Sequence, residues 1–221
     1  RGAPPPPTVY EDARSAPAID VVGHYVLLVA CLRWKVSDMA FQFVHAQSYG
    51  RKAGAHAKRG GATTRFIFDE AQRLDHACTH VETPQAPRVK GWSIDKLRKE
   101  HDRLADEART TTKSGHTRRI RQDQHTLHTE VASHPYSPDD LADPRKRREY
   151  EAWRTDTIRW WRHRLGDNLV SVVEHRDEDH LHLHALALPR NDPEMRAKRL
   201  HPGYAAQEQA RDVARQRGGA D

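Results

Sequence analysis

His175, His182 and His184 stand in the spacing H-x6-H-x-H within residues 170–189, "VSVVEHRDEDHLHLHALALP", a segment holding four histidines and four acidic residues. Three imidazoles that leave coordination positions open hold a divalent ion able to touch a substrate as well, whereas a closed structural site takes four ligands. Asp177 and Glu178 stand beside them as groups that accept an imidazole N–H or handle a proton.

The chemistry needs the right elements underneath. Leu169 to Glu174 is a β-branched run without Pro or Gly, which predicts a strand. Leu181 to Leu188 alternates, with Leu181, Leu183, Ala185 and Ala187 on one face and His182, His184, Leu186 and Leu188 on the other. The polar link "HRDEDH" predicts a hairpin that folds His175 back beside the pair, so three imidazoles converge on one sheet face. A histidine-rich strand at a solvated edge is the plainer alternative; convergence from two strands favours the metal reading.

"HRDEDHLHLHALALP" resembles the H-x-D-E-x-x-x-H-x-H signature of plasmid mobilisation and recombination enzymes, the Mob/Pre or MobV-type relaxases of the HUH endonuclease superfamily. That family usually carries proline just before the histidine pair, where this chain has Leu181. The similarity extends upstream through "MAFQFVHAQSYGRKAG", "FDEAQRLDHACTHVETPQAP", "RQDQHTLHTEVASHP" and the Trp-rich stretch before Gly166, roughly Met39 to Pro189, and weakly through "LHPGYAA".

The resemblance implies a metal-dependent enzyme that nicks single-stranded DNA at a plasmid origin of transfer and joins covalently to the 5′ end, conserving the phosphodiester energy for rejoining. It implies His175, His182 and His184 as ligands, Glu178 as a proton relay, manganese or magnesium as the ion, and conjugation accessory proteins as partners. Three imidazoles equally suit zinc. The family nucleophile resembles a histidine in H-N-x-R; in "GGATTR", Arg65 fits the arginine but Ala62 stands where the histidine belongs. Tyr49, in "SYGRK", and His56, in "KAGAHAKRGG", are the candidates for replacement; packing or capping of the strand end is the plainer role for Tyr49, and an idle loop position for His56. Two alternatives follow: a DNA-binding remnant that no longer cuts, and a phosphodiesterase in which ion-activated water attacks.

Composition agrees with a polyanionic partner. Lys and Arg number 37 against 31 Asp and Glu, for a net charge of +6 and a pI near 9.5. The excess concentrates in "GRKAGAHAKRG", with Arg51, Lys52, Lys58 and Arg59, and in "HTRRIRQDQH", with Arg118, Arg119 and Arg121; both read as loops suited to phosphate contacts. A solubilising surface is the alternative.

The remaining pattern predicts one α+β domain: a central antiparallel sheet flanked by helices. "AFQFVHAQSY" reads as a strand with Phe41, Phe43 and His45 on one face, "TRFIFDEAQRL" as a short helix capped by Thr63 or Thr64, and "TLHTEVASHP" as a strand ended by Pro135. "SIDKLRKEHDRLADEAR" is a helix after Ser93 with the thin stripe Leu97, Leu104, Ala108. In "RKRREYEAWRTDTIRWWRHRLG", Tyr150, Trp153, Thr157, Trp160 or Trp161 and Leu165 recur at helical spacing, and Gly166 supplies a stop. Core packing, not base stacking, is the role read for these tryptophans.

Residues 1–38 form a Pro-rich leader expected to be disordered, with the functional start at Met39; 39–190 is the relaxase-like domain and 191–221 a polar helical tail. Cys31 and Cys78 are too few for a disulfide scaffold and fit a reducing cytoplasm. Cys78, His76 and His80 read as a structural loop rather than a second metal site.

Overall fold

Alternating strands build the framework. The structure, a computed structural model, describes residues 43–54 and 62–218. The leader, Met39, Phe41, Cys31, His56, Lys58 and Arg59 lie outside the described residues.

Five strands form one antiparallel sheet in the order β1-β5-β7-β6-β2. These are β1 (Phe43–Gly50), β2 (Arg88–Gly91), β5 (His125–His134), β6 (Leu169–His175) and β7 (Leu181–Ala187). A separate two-stranded ribbon pairs β3 (Arg109–Thr111) with β4 (Thr117–Arg119). Helices α1 (Thr64–Ala71), α2 (Ile94–Glu107), α3 (Pro144–Leu165) and α4 (Pro202–Gln216) complete an α+β fold in which helices flank the sheet.

Local chemistry explains the boundaries. Thr63 caps α1 by accepting from the Phe66 N–H, and Ser93 caps α2 by accepting from the Lys96 N–H. Asp143 caps α3, whose first residue is Pro144, and Gly166 at φ 55 ends it. Gly91 ends β2 at φ +108, where an added Cβ would meet the Val170 carbonyl at 2.4 Å.

Each sheet face carries its own core. On one, α1 and α2 bring Phe68, Ile94 and Leu97 against Leu127, Val173 and Leu186. On the other, α3 brings Ile158, Trp161 and Leu165 against Val172, Leu183 and Ala185. Each fully buried side chain of this size contributes about 1.5–3 kcal/mol. Trp161 is in the core as expected, while Trp160 is only partly buried. The half-turn belongs to Ile158, which is buried, rather than to Thr157, and Ala108 caps α2 rather than lying within it.

The ribbon corrects one expectation. "HTRRIRQDQH" is not all loop: Arg118 and Arg119 lie on β4. Strand β2 was also unforeseen, because four exposed residues give no apolar alternation. No helix among the described residues is long and apolar enough to cross a membrane.

Candidate functional site

The β6–β7 hairpin builds the site. His175 pairs with His182 and Val173 with His184, and directly opposed residues of an antiparallel pair share a face. His182 and His184 sit two apart on β7, so all three imidazoles occupy the face covered by α1 and α2.

Two of the rings stand ready for one ion. His175 Nδ1 lies 3.3 Å from His184 Nε2, with ring centroids 4.7 Å apart. His175 Nε2 lies 3.3 Å from the Ala71 carbonyl at the end of α1. A carbonyl only accepts, so Nε2 carries the proton and Nδ1 presents its lone pair to His184. Burial pushes His175 down to about 4, with the Arg73 charge adding to it. Burial, then the charges of His175 and His182, holds His184 well below its ordinary value. Both rings are therefore neutral near neutrality, the form that ligates metal. Nitrogens each about 2.1 Å from a shared ion stand on the order of 3.3 Å apart, so this pair fits.

The third ring is engaged elsewhere. His182 Nε2 lies 3.3 Å from Glu178 Oε2, its Nδ1 is buried without a partner, and its centroid is 6.4 Å from that of His184. Among the described residues no three His, Cys, Asp or Glu side chains form a ready cage. The donor set suits a divalent ion once His182 turns from Glu178.

The two acidic residues divide their work. Glu178 accepts from His182 as expected, and that contact with the Arg73 guanidinium beside it holds its carboxyl well below the usual range. Asp177 orients no imidazole. Its Oδ1 accepts from Arg73 Nη2 at 2.7 Å and its Oδ2 from the Gln85 N–H at 3.0 Å, tying the hairpin tip to the segment before β2.

Arg73 escaped the sequence reading. It follows α1 at φ 60, is buried, and joins Asp177 to Glu178, whose Oε1 it meets at 2.5 Å. His80 stands with Nε2 3.9 Å from the same Glu178 oxygen, so it faces the site while Cys78 packs with Ala77 and Val81. The sequence places His80 in a structural loop and gives no signal for Arg73, whose backbone turn is a tertiary matter.

The expected nucleophile Tyr49 shares the histidine face. On β1, His45 is level with His184 across Val131, and Tyr49 lies four residues further, about 13 Å along the strand. Burial raises the Tyr49 phenol, which hydrogen-bonds the Thr129 side chain and feels Glu70 on α1. Burial likewise raises the Glu70 carboxyl.

The basic residues gather at the Tyr49 end. Lys52 N–H donates to the Gln122 carbonyl at 2.9 Å, so the Arg51–Lys52 segment runs beside the one carrying Arg118, Arg119 and Arg121. Arg51 pairs with Asp106 and Arg121 with Asp123, which among the described residues leaves Lys52, Arg118 and Arg119 as exposed cations there without a carboxylate partner. Arg65 lies in the first turn of α1, 85% exposed at its side chain and 3.9 Å from Asp69. Ala62 immediately precedes the cap Thr63.

No family model matches the chain, and no curated protein matches it. Among solved structures it is similar to DNA-bound relaxase domains. One is the MobM relaxase domain (MOBV; Mob_Pre) bound to 26-nucleotide pMV158 oriT DNA, at 14% identity and a TM-score of 0.43, covering 80% of this chain and 84% of that one. A second is the MobM relaxase domain with pMV158 oriT DNA in a manganese-bound crystal at pH 6.8, with the same identity and TM-score, covering 68% and 71%.

Proposed function

We propose that the chain is a relaxase-type enzyme that nicks single-stranded DNA at a plasmid origin of transfer and holds the 5′ end covalently. The observation that carries this reading is the 3.3 Å approach of His175 Nδ1 and His184 Nε2, two neutral imidazoles, with His182 beside them on one sheet face. It agrees with the H-x-D-E-x-x-x-H-x-H resemblance of the sequence.

His175, His182 and His184 would hold a divalent ion, manganese or magnesium by the resemblance, and when bound it would supply Lewis acidity and orientation at the scissile phosphate. The Ala71 carbonyl fixes the His175 tautomer, and Glu178 sets how far His182 turns inward. A side chain of the protein would form the new bond to phosphorus as the bond to the 3′ oxygen breaks, its proton passing to a neighbouring base and the 3′ oxygen taking one from solvent; Tyr49 lies about 13 Å along the sheet from the level of His184, so it serves as the attacker only if the strand's scissile phosphate spans both. Lys52, Arg118 and Arg119 contact phosphates near Tyr49, with Arg51, Arg121 and the exposed Arg65 extending the track.

The test is incubation with labelled single-stranded DNA carrying a candidate origin and manganese, read on a denaturing gel. A retarded, protease-sensitive band supports the relaxase. Ala62, in the place where the family motif has its histidine, favours a second reading in which the fold binds DNA without cutting; binding without adduct or cut then follows. Cleavage with free ends assigns attack to water.

A further inference from the structure

We infer that the cleft between β2 and α3, on the sheet face turned away from the histidines, is a second nucleic-acid site that holds the phosphate backbone of a single DNA strand. The choice of polyanion rests on the reading of the chain as an enzyme of DNA strands.

The cleft encloses about 430 Å³. Ile158, Val172 and Leu183 form an apolar floor, and five cations surround it: Arg88 and Lys90 from β2, and Arg154, Arg159 and Arg162 from α3. The strand period explains the first pair. Arg88 opposes Glu174 and Lys90 opposes Val172, so both point to the α3 face while Val89 points to the other. The helix period explains the rest, since Arg154, Ile158 and Arg162 recur at four-residue spacing and Arg159 lies three residues before Arg162, which brings them to one side of α3.

The only carboxylate lining the cleft, Glu174, is already saturated. Its Oε1 accepts from the Tyr150 hydroxyl at 3.0 Å, its Oε2 from Arg154 at 3.1 Å, and Arg176 closes on it as well. Arg159 pairs with Asp156 at 3.0 Å. Arg88, Lys90 and Arg162 are left without a carboxylate among the described residues. Cations held unpaired around an apolar floor cost self-repulsion, and a polyanion that also carries apolar faces relieves both. A single DNA strand supplies phosphates for the rim.

The position suits one continuous strand. Glu174 and His175 are consecutive in β6 and serve opposite faces, and β2 is the edge strand next to β6, with all four residues exposed. A strand leaving His175 has only that edge to round before reaching the cleft. The cleft then anchors the DNA flanking the cut and takes no part in the chemistry.

Fluorescence anisotropy of the full chain with a fluorescein-labelled oligo(dT), without metal and across a salt series, tests this. The variant R88A/K90A/R162A is expected to bind about tenfold more weakly, with a salt slope shallower by about 2, at roughly 0.7 per lost phosphate contact. The variant R88K/R162K keeps the charge and is expected to bind like the parent, and both keep the parent's circular dichroism melting curve. Unchanged affinity and slope in the triple variant, alongside weaker binding by R118A/R119A, overturns the cleft and leaves the relaxase reading intact. Failure of the parent chain to bind oligo(dT) at low salt overturns both.

Discussion

Arg73 Nη2 lies 2.7 Å from Asp177 Oδ1 although 104 positions separate the two residues in sequence, and both side chains are almost fully buried. The same nitrogen reaches Glu178, so one guanidinium holds the turn between β6 and β7 at the end of α1. Replacing it with a neutral side chain leaves the buried Asp177 carboxylate without its cation and the partly buried Glu178 to the imidazoles of His182 and His80. Arg73→Met is expected to destabilise the protein by about 3 kcal/mol, read from the urea midpoint, and Arg73→Lys to recover only part, because ammonium lacks the planar fork.

Metal dependence divides the histidines from the basic track. On the proposed function, chelation with EDTA is expected to stop nicking while leaving oligonucleotide affinity unchanged, since the proposed phosphate contacts are made by cationic side chains and not by the ion. Manganese titrated calorimetrically into His184→Ala is expected to give no heat of binding. Glu178→Gln is expected to tighten manganese binding, because the His182 ring then turns toward the ion without leaving a carboxylate. Nicking that survives EDTA sinks the metal reading.

His134, at the end of β5, gives the fold a pH dependence. It packs between Tyr136, Tyr150 and Trp153, its Nδ1 accepts the Tyr136 N–H, and burial lowers it to about 4 despite Glu149 and Asp140 nearby. A histidine depressed in the folded state contributes stability that is present above its unfolded value and lost as pH falls toward the folded one. Between about pH 7 and about pH 5 the loss from this group is on the order of 1–2 kcal/mol. His134→Asn keeps an acceptor at the same place and does not titrate, so its stability against pH is expected to fall less steeply than the parent's. Parallel curves contradict the assignment.

Gly91 is the hinge of the edge strand. With φ +108 and an added Cβ 2.4 Å from the Val170 carbonyl, Gly91→Ala cannot be accommodated without moving β2. A loss of at least about 1 kcal/mol is expected, together with faster hydrogen exchange at the Trp92 amide, whose bond to the Val170 carbonyl follows this residue.

The hairpin was legible because two signals agreed. Period-two alternation over Leu181–Leu188 placed His182 and His184 on one face, and the polar link placed His175 beside them. Helix α3 was legible from Tyr150, Trp161 and Leu165, although its arginine-rich outer surface blurred which residue held each half-turn. Strand β2 was not, since "RVKG" has no apolar partner spacing and is fixed only by pairing with β6 eighty residues later. The same physics hid Arg73: nothing local announces a left-handed residue or a partner beyond a hundred positions. The ribbon carrying Arg118 and Arg119 was too short and polar to stand out from a loop.

The group that sets the His175 tautomer is the main-chain carbonyl of Ala71. Every amino acid supplies that oxygen, so no substitution at position 71 deletes it, and the ring's orientation is shielded from point mutation in a way the ligands are not. What can break it is displacement of the helix end itself. Fraying of the last turn of α1 therefore acts as a dial on which nitrogen of His175 carries the proton, and the packing of Ala71 and Phe68 in the core beneath that turn bears on the ring through the helix end.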